Sequence, residues 1–154
     1  MKKSILLFSA LSCFFAACQQ KTSEQKIDSL ATSPDTAITA TKTCYSYIYK
    51  KDTISLSFTK AGNAVAGELL YNLFEKDKNS GTIAGTIQGD TIIADYTFNS
   101  EGRSSVRQVA FLRKGDQLLE GYGPVTEKDD KMVFTDLKGL KYMDAITLKE
   151  IPCK

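Results

Sequence analysis

Two charged residues occupy positions where the sequence pattern otherwise places apolar side chains. Arg107 is in register with Val109 and Phe111 on the apolar face of a strand, and Glu120 holds the equivalent position in the next strand. A guanidinium on an apolar face needs a carboxylate partner or an anionic ligand, because an unpaired buried charge is costly. Glu120 is the nearest candidate for that partner.

The predicted surroundings of Arg107 suggest a cavity. Its expected cross-strand neighbours are Ala94 and then Gly85, and such small residues would leave a void beside a long side chain. Three tyrosines on the same predicted face would line the void with amphipathic rings: Tyr71, Tyr96 and Tyr122. We predict that Arg107, Glu120 and these tyrosines bind a small amphipathic or anionic ligand. The alternative is an ion pair that satisfies itself, or a bulge that turns Arg107 outward.

Catalytic chemistry is limited by the absence of histidine. Ser-His-Asp and Cys-His catalysis and the histidine-based zinc sites are thereby excluded. The acidic loops at 75–79 and 127–130 lack the spacing of a calcium-binding EF-hand, so we predict no metal and no cofactor. We expect a non-enzymatic protein. A hydrolase or isomerase that uses Glu120 and Tyr122 as acid and base is the catalytic alternative.

The elements that would position these residues are short β-strands. From Cys44 onward apolar and polar residues alternate, and successive turns leave the inward-facing set unchanged. This pattern predicts an all-β fold, an antiparallel meander of about eight strands. A meander of this size closes into a small barrel or curls into a sandwich, and we predict the barrel. The predicted connections are 51–52, 60–63, 89–90, 99–102 and 115–116.

The same alternation predicts pairing and burial. One expected pair for each connection is Tyr49 with Ile54, Phe58 with Val65, Ile87 with Ile92, Ala94 with Arg107, and Phe111 with Glu120. The common buried face should contain Tyr47, Leu56, Leu69, Ile87, Ile92, Val109 and Tyr122. Beyond Pro124 the pattern weakens and predicts a short strand over 132–134 and a last strand over 145–151.

The first residues have the pattern of a secretory signal peptide. Lys2 and Lys3 precede an uncharged run from Ile5 to Ala17, which is too short for a permanent membrane helix. Small residues precede Cys18, and the segment 15–18 resembles the lipobox of bacterial lipoproteins. That resemblance implies cleavage before Cys18, acylation of its thiol with chains such as palmitate, and N-acylation of the new terminus.

We divide the chain into a lipoprotein signal peptide at 1–17, a flexible linker at 18–42 and a β-barrel domain at 43–154. The linker is polar and poor in large apolar residues, so it cannot bury enough surface to offset the entropy of ordering. Loss of Lys2 and Lys3 with the signal leaves equal numbers of basic and acidic side chains. Charge therefore gives no indication of nucleic-acid binding.

Cys44 and Cys153 are the cysteines that remain once Cys13 leaves with the signal and Cys18 carries lipid. In an exported chain they predict a disulfide, which would stabilise the fold by about 4–5 kcal/mol. The alternatives are a metal site or a reactive thiol. Two cysteines without histidine cannot complete a tetrahedral metal site.

The lipobox, the polar linker and the strand pairs with glycines at their turns together resemble the small β-barrel lipoproteins of Bacteroidota. In outline the barrel is also similar to lipocalins and to the N-terminal barrel of NlpE, although the GxW and CxxC signatures of these two groups are absent. The resemblance implies a protein of the cell envelope anchored through Cys18. Gln19 is compatible with sorting to the outer membrane, on its periplasmic or surface face.

This interpretation predicts which partners the protein binds. The membrane is a partner through the lipid on Cys18, and a small molecule or another envelope protein is a partner of the barrel. The alternative function is a structural or protein-interaction module of the envelope, with a filled core and no ligand.

Overall fold

The computed structural model describes residues 40–100 and 102–154, and the regular structure in these ranges is entirely β-strand. The predicted signal peptide, Cys18 and most of the predicted linker lie outside the described residues. In the described ranges no helix is long and apolar enough to cross a membrane. The strands are β1 (Thr41–Tyr49), β2 (Asp52–Ala61), β3 (Ala64–Asn72), β4 (Asn79–Gln88), β5 (Thr91–Ser100), β6 (Arg103–Lys114), β7 (Gln117–Tyr122), β8 (Val125–Lys128), β9 (Lys131–Phe134) and β10 (Lys141–Ile151).

Eight of these strands close into a barrel. From β1 to β7 each strand pairs antiparallel with the next strand in the chain, and β10 pairs antiparallel with both β7 and β1. The strands β8 and β9 form a hairpin outside this ring, and β9 bridges β6 in parallel at Arg107 and Met132. The predicted all-β meander that closes into a small barrel is confirmed.

Strand direction gives the barrel two distinct ends. The β1–β2, β3–β4 and β5–β6 connections lie at one end, which we call the upper end. The β2–β3, β4–β5 and β6–β7 connections lie at the other, the lower end. The polar residues singled out above belong to the upper end.

The structure confirms two of the five predicted registers and shifts the other three by two residues. The confirmed pairs are Ile87 with Ile92 and Phe111 with Glu120. The corrected pairs are Tyr49 with Asp52, Phe58 with Gly67, and Ala94 with Val109. Successive side chains of a strand point to opposite faces, so a shift of two residues leaves every side chain on its predicted face.

Turns that differ from the predicted ones cause the shifted registers: the β1–β2 turn lies one residue earlier, and the β2–β3 and β5–β6 connections are shorter than predicted. The β1–β2 turn is Lys50–Lys51, and Lys50 has a φ of 52°. At the first position of three other turns in the ring this positive φ belongs to Gly62, Gly89 and Gly115, whereas Asp129 adopts it in the β8–β9 turn. A non-glycine residue rarely adopts it, so nothing in the sequence marks the turn at Lys50. Pairing of β2 with β3 continues to Ala61 and Ala64, and pairing of β5 with β6 continues to Ser100 and Arg103, so both connections are shorter than the four residues predicted.

Apolar side chains fill the middle of the barrel. The largest fully buried ones include Tyr96, Phe111, Ile54, Leu56, Leu69, Ile83, Leu118 and Leu148. Of the residues predicted to share the buried face, four are buried, and Tyr47 and Ile87 are half-buried against the core. Tyr122 was predicted wrongly, since it is 38% exposed. It lies beyond the last β6–β7 pair, so β6 does not cover it.

Beyond Pro124 the chain departs further from the pattern. The strand predicted over 132–134 is β9, and the last strand begins at Lys141 rather than at 145. The sequence did not reveal β8, whose four residues are all exposed. Without a buried face there is no alternation of apolar and polar residues to detect.

A disulfide joins Cys44 and Cys153, as predicted. It lies where the first and last strands of the ring meet, next to the pair formed by Cys44 and Ile151. That ladder holds only three residue pairs, the fewest of any in the ring. The covalent bond therefore reinforces the closure of the barrel at its shortest ladder.

Candidate ligand site at the upper end of the barrel

The five predicted site residues come together at the upper end. Tyr71 is near the end of β3, Tyr96 is in β5, Arg107 is in β6, and Glu120 and Tyr122 are in β7. Each occupies a position of its strand whose side chain points into the barrel. Three consecutive strands, β5 to β7, together with β3 thus bring these side chains to one place.

Glu120 is the buried acid of the site, only 7% exposed. The Tyr71 hydroxyl donates a hydrogen bond to Glu120 Oε1 at 2.6 Å, and the Tyr122 hydroxyl donates one to Oε2 at 3.0 Å. Burial raises the pKa of Glu120, and these two hydrogen bonds and the charge of Arg107 counteract only part of that rise. Glu120 therefore takes up a proton more readily than an exposed glutamate.

The tyrosines around Glu120 keep their protons. Burial and the neighbouring Glu120 carboxylate raise the pKa of Tyr71 well above its ordinary value, and the pKa of Tyr122 is raised for the same reasons. Burial raises the pKa of Tyr96 to about 12. As hydroxyl donors to a carboxylate, Tyr71 and Tyr122 hold Glu120 in place, and each Glu120 oxygen already accepts one hydrogen bond. This arrangement positions a carboxyl group and provides no obvious path for a proton.

Arg107 lies among aromatic rings. Its Cζ atom is 5.0 Å from the ring centroid of Tyr71 and 5.5 Å from those of Tyr96 and Phe98. These distances are typical of cation–π contacts. The rings also pack on each other, with centroids 5.9 Å apart for Tyr71 and Tyr96 and 4.8 Å apart for Tyr96 and Phe98.

No carboxylate in the described part of the chain forms a salt bridge with Arg107, whose Nε is buried without a hydrogen-bond partner. Glu120 is close enough for the Arg107 charge to lower its pKa, but the predicted ion pair between them does not form. A buried donor without a partner is uncommon and costs about 1–3 kcal/mol. Aromatic rings therefore hold this guanidinium in place, and its Nε donates no hydrogen bond to the described residues.

The predicted neighbours of Arg107 were wrong. Pairing of β5 with β6 begins at Ser100 and Arg103 and places Tyr96, not Ala94, opposite Arg107. The small residues Ala94 and Gly85 pair with each other deeper in the barrel, and a Cβ on Gly85 would overlap the backbone of β5. The expected void there is absent, and aromatic rings surround the guanidinium instead.

Phe98 is a site residue that the sequence analysis did not identify. Like Tyr96, it occupies an inward-facing position of β5, and its ring stacks on the Tyr96 ring. Phe98 was missed because a turn was predicted at 99–102, whereas β5 continues to Ser100. If the alternation of inward-facing residues had been continued by two residues beyond Tyr96, it would have identified Phe98.

Two cavities meet at Arg107 and Glu120. The first, which we call the interior cavity, has a volume of about 340 Å³ and is lined by Ile54, Tyr71, Leu73, Lys76, Asp77, Asn79, Arg107, Glu120, Tyr122 and Ile146. The second, the side cavity, has a volume of about 470 Å³ and lies between β6, β7 and the β8–β9 hairpin. Both volumes fall in the range of small-molecule sites.

Buried polar atoms without partners concentrate near these cavities. In residues 40–100 and 102–154 they are Asn79 Oδ1, Tyr96 Oη and Arg107 Nε. Asn79 and Arg107 line the interior cavity, and Tyr96 packs against the Arg107 guanidinium. Each unsatisfied group in a folded protein calls for an explanation, and a ligand that reaches several of them would provide one.

A metal centre has no support in the described ranges, where no three acidic or cysteine side chains come together. Comparisons with protein-family models, curated proteins and solved structures found no match for this chain.

Proposed function

We propose that this chain is a lipid-anchored cell-envelope protein whose barrel binds a small amphipathic or anionic ligand at its upper end. The observation that carries this proposal is the state of Arg107. It faces inward, is held by three aromatic rings, lacks a carboxylate partner among the described residues and borders both cavities.

An anionic group is the ligand chemistry that fits this guanidinium. Arginine presents donors in a planar fork that matches a carboxylate or phosphate, and such charge-assisted hydrogen bonds are strong. Glu120 forms no salt bridge with this guanidinium, and its oxygens accept hydrogen bonds from Tyr71 and Tyr122 instead. The aromatic and aliphatic side chains around the cavities would accept an apolar part of the same ligand.

Calorimetric titration of the purified barrel with octanoate and with octanol tests the proposal. We expect octanoate to bind more tightly than octanol, and Arg107→Met to weaken octanoate binding by about 10- to 100-fold, the loss of one charged hydrogen bond. Arg113→Met is the matched control, because Arg113 lies on the same strand at the lower end. Equal binding of octanoate by Arg107→Met and Arg113→Met would contradict the proposal.

The lipid anchor is tested separately. Cys18→Ala in the full chain, expressed in a bacterium with lipoprotein processing, should abolish incorporation of an alkyne-labelled palmitate and move the protein to the soluble fraction. Cys13→Ala is the control and should label like the wild type. Continued labelling of the Cys18 variant would contradict the lipoprotein interpretation.

A second candidate function is a structural or interaction module. The filled middle of the barrel favours it, since Tyr96, Phe111 and Leu118 leave no deep calyx. In that case a folded barrel would bind neither carboxylates nor neutral amphiphiles in the titrations above. A partner would then have to meet the outer surface.

A further inference from the structure

We infer that the side cavity is a channel for the acyl chain of a single-chain carboxylate amphiphile, whose head group meets Arg107. This deepens the proposed function and rests on it. It adds the ligand class and the part of the wall that receives the apolar chain.

The barrel wall is split where this cavity lies. Pairing of β6 with β7 ends at Phe111 and Glu120. Above that point β6 keeps its ladder with β5, whereas Gly121 and Tyr122 of β7 pair with β10. On its other side the upper part of β6 has a single bridge, from Arg107 to Met132 of β9. A lateral opening therefore leads from the outside of the barrel directly to Arg107.

Apolar side chains dominate the wall of this opening: Phe98, Val106, Val109, Val125, Met132 and Phe134. Two of them are unusually exposed for their type, Val125 at 47% and Met132 at 41%. Arg107 and Glu120 form the polar, charged end of the cavity. An apolar channel that reaches the Arg107 guanidinium matches an apolar chain that carries a carboxylate at one end, since Glu120 beside it is held by Tyr71 and Tyr122.

The β8–β9 hairpin is fixed over the channel by polar contacts. Lys131 forms an ion pair with Asp95 on the outer face of β5, and the Phe134 backbone N–H donates to Gln108 Oε1 at 3.2 Å. These contacts hold the hairpin against β5 and β6 at two points. The opening can therefore stay apolar without collapsing onto the barrel wall.

Volume and packing favour a single chain. The side cavity of about 470 Å³ is in the lower half of the range for small-molecule sites. The interior gives no further room below Arg107, because Tyr96 and Phe111 are fully buried there. One chain lying laterally between β6 and the hairpin fits this space.

The test is a titration series with benzoate, butyrate, octanoate and decanoate on the purified barrel. We expect affinity to rise about two- to fourfold for each added methylene, as expected when the chain is buried. Val125→Trp should fill the channel and weaken decanoate binding by about tenfold or more, equivalent to two or more methylenes displaced, with benzoate binding unchanged. Thr126→Trp is the matched control, because Thr126 is the next exposed residue on β8 and does not line the cavity.

The outcomes separate this inference from the proposed function. If benzoate and octanoate bind through Arg107 but affinity does not depend on chain length, the inference is wrong and the proposed function stands. Equal decanoate binding by Val125→Trp and Thr126→Trp would also overturn the inference. If no carboxylate binds the folded wild type, both fail.

Discussion

Charged and hydroxyl side chains differ in exposure and pairing between the two ends of the barrel. At the lower end Arg113 forms an ion pair with Asp90 at 3.2 Å, and both side chains are more than half exposed. At the upper end, on the same strand, Arg107 has rings instead of a carboxylate, and Glu120 is buried under two tyrosines. Water solvates the lower pair whatever its geometry, whereas the upper groups depend on the protein around them.

This difference is the one expected if the lower end closes the barrel and the upper end binds the proposed ligand. The lower end joins the first and last strands and carries the disulfide, and it has no buried polar atom without a partner in the described part of the chain. The upper end has three, so the fold gives up stability there. A cavity of about 450 Å³ also lies at the lower end, but its guanidinium, Arg113, is already paired with Asp90, and its other cation, Lys60, is exposed. An unpaired guanidinium, rather than an available space, distinguishes the upper end as the candidate site.

The largest effect should come from the lower end. Replacing both Cys44 and Cys153 with alanine should lower the free energy of unfolding by about 4–5 kcal/mol, because the bond closes a loop of 109 residues. Urea denaturation of the variant and of the wild type measures the loss. Reduced wild type serves as the control and should match the variant. A loss under about 1 kcal/mol would mean that strand pairing alone closes the barrel.

Two hydroxyl deletions compare the ends directly. Tyr71→Phe removes a buried 2.6 Å hydrogen bond to Glu120 and should cost about 1–3 kcal/mol of stability. Tyr45→Phe is the matched control at the lower end, where the hydroxyl is 3.5 Å from Glu150 in a partly exposed contact. That distance is at the limit of a hydrogen bond, so the control should cost about 0.5 kcal/mol or less. Equal costs would contradict the contrast between the ends.

The buried Glu120 should also make stability depend on pH. Its pKa is raised above the ordinary value of 4.5, so between that value and its pKa in the folded state the folded protein binds more protons than the unfolded chain. Stability from this group therefore falls as pH rises through that window. Glu120→Gln should flatten this fall in melting temperatures measured across the acidic range. Wild type and variant with parallel profiles would show that Glu120 titrates normally.

The smallest effect on stability is expected at the two arginines. Arg107→Met should change the free energy of unfolding by less than about 1 kcal/mol in either direction, because the lost ring contacts are offset by removal of an unsatisfied Nε. Arg113→Met should also cost about 1 kcal/mol or less, since its ion pair is exposed. Denaturation curves measure both. A loss of about 3–5 kcal/mol at Arg107 would instead indicate a buried ion pair.

Local chemistry explains which parts of the fold could be predicted. Alternation fixed the inward face, and the Gly-Asp turns at 89–90 and 115–116 fixed two registers correctly. Lys50 adopts a conformation usual for glycine, so its turn had no signal. Because the resulting errors were of two residues, the predicted face survived while the predicted pairs did not.

The sequence predicts most of the residues of the candidate site but not the contacts between them. The alternation of inward- and outward-facing residues along the strands was enough to place Arg107 and Glu120 on one face. Their failure to pair depends on where the β6–β7 ladder ends and on the path of the β8–β9 hairpin, which are long-range features. Phe98 was lost through an error in one turn. The sequence therefore identifies inward residues more readily than their contacts.

The central claim, that Arg107 is a free cation awaiting an anionic ligand, is tested most directly by NMR of its Nε–H group. The resonance can be assigned by its disappearance in Arg107→Met. We predict that octanoate shifts this resonance in a saturable way, whereas octanol does not, and that the Arg113 Nε–H resonance moves with neither. An Arg107 resonance that is unchanged by every carboxylate of the series would contradict the account.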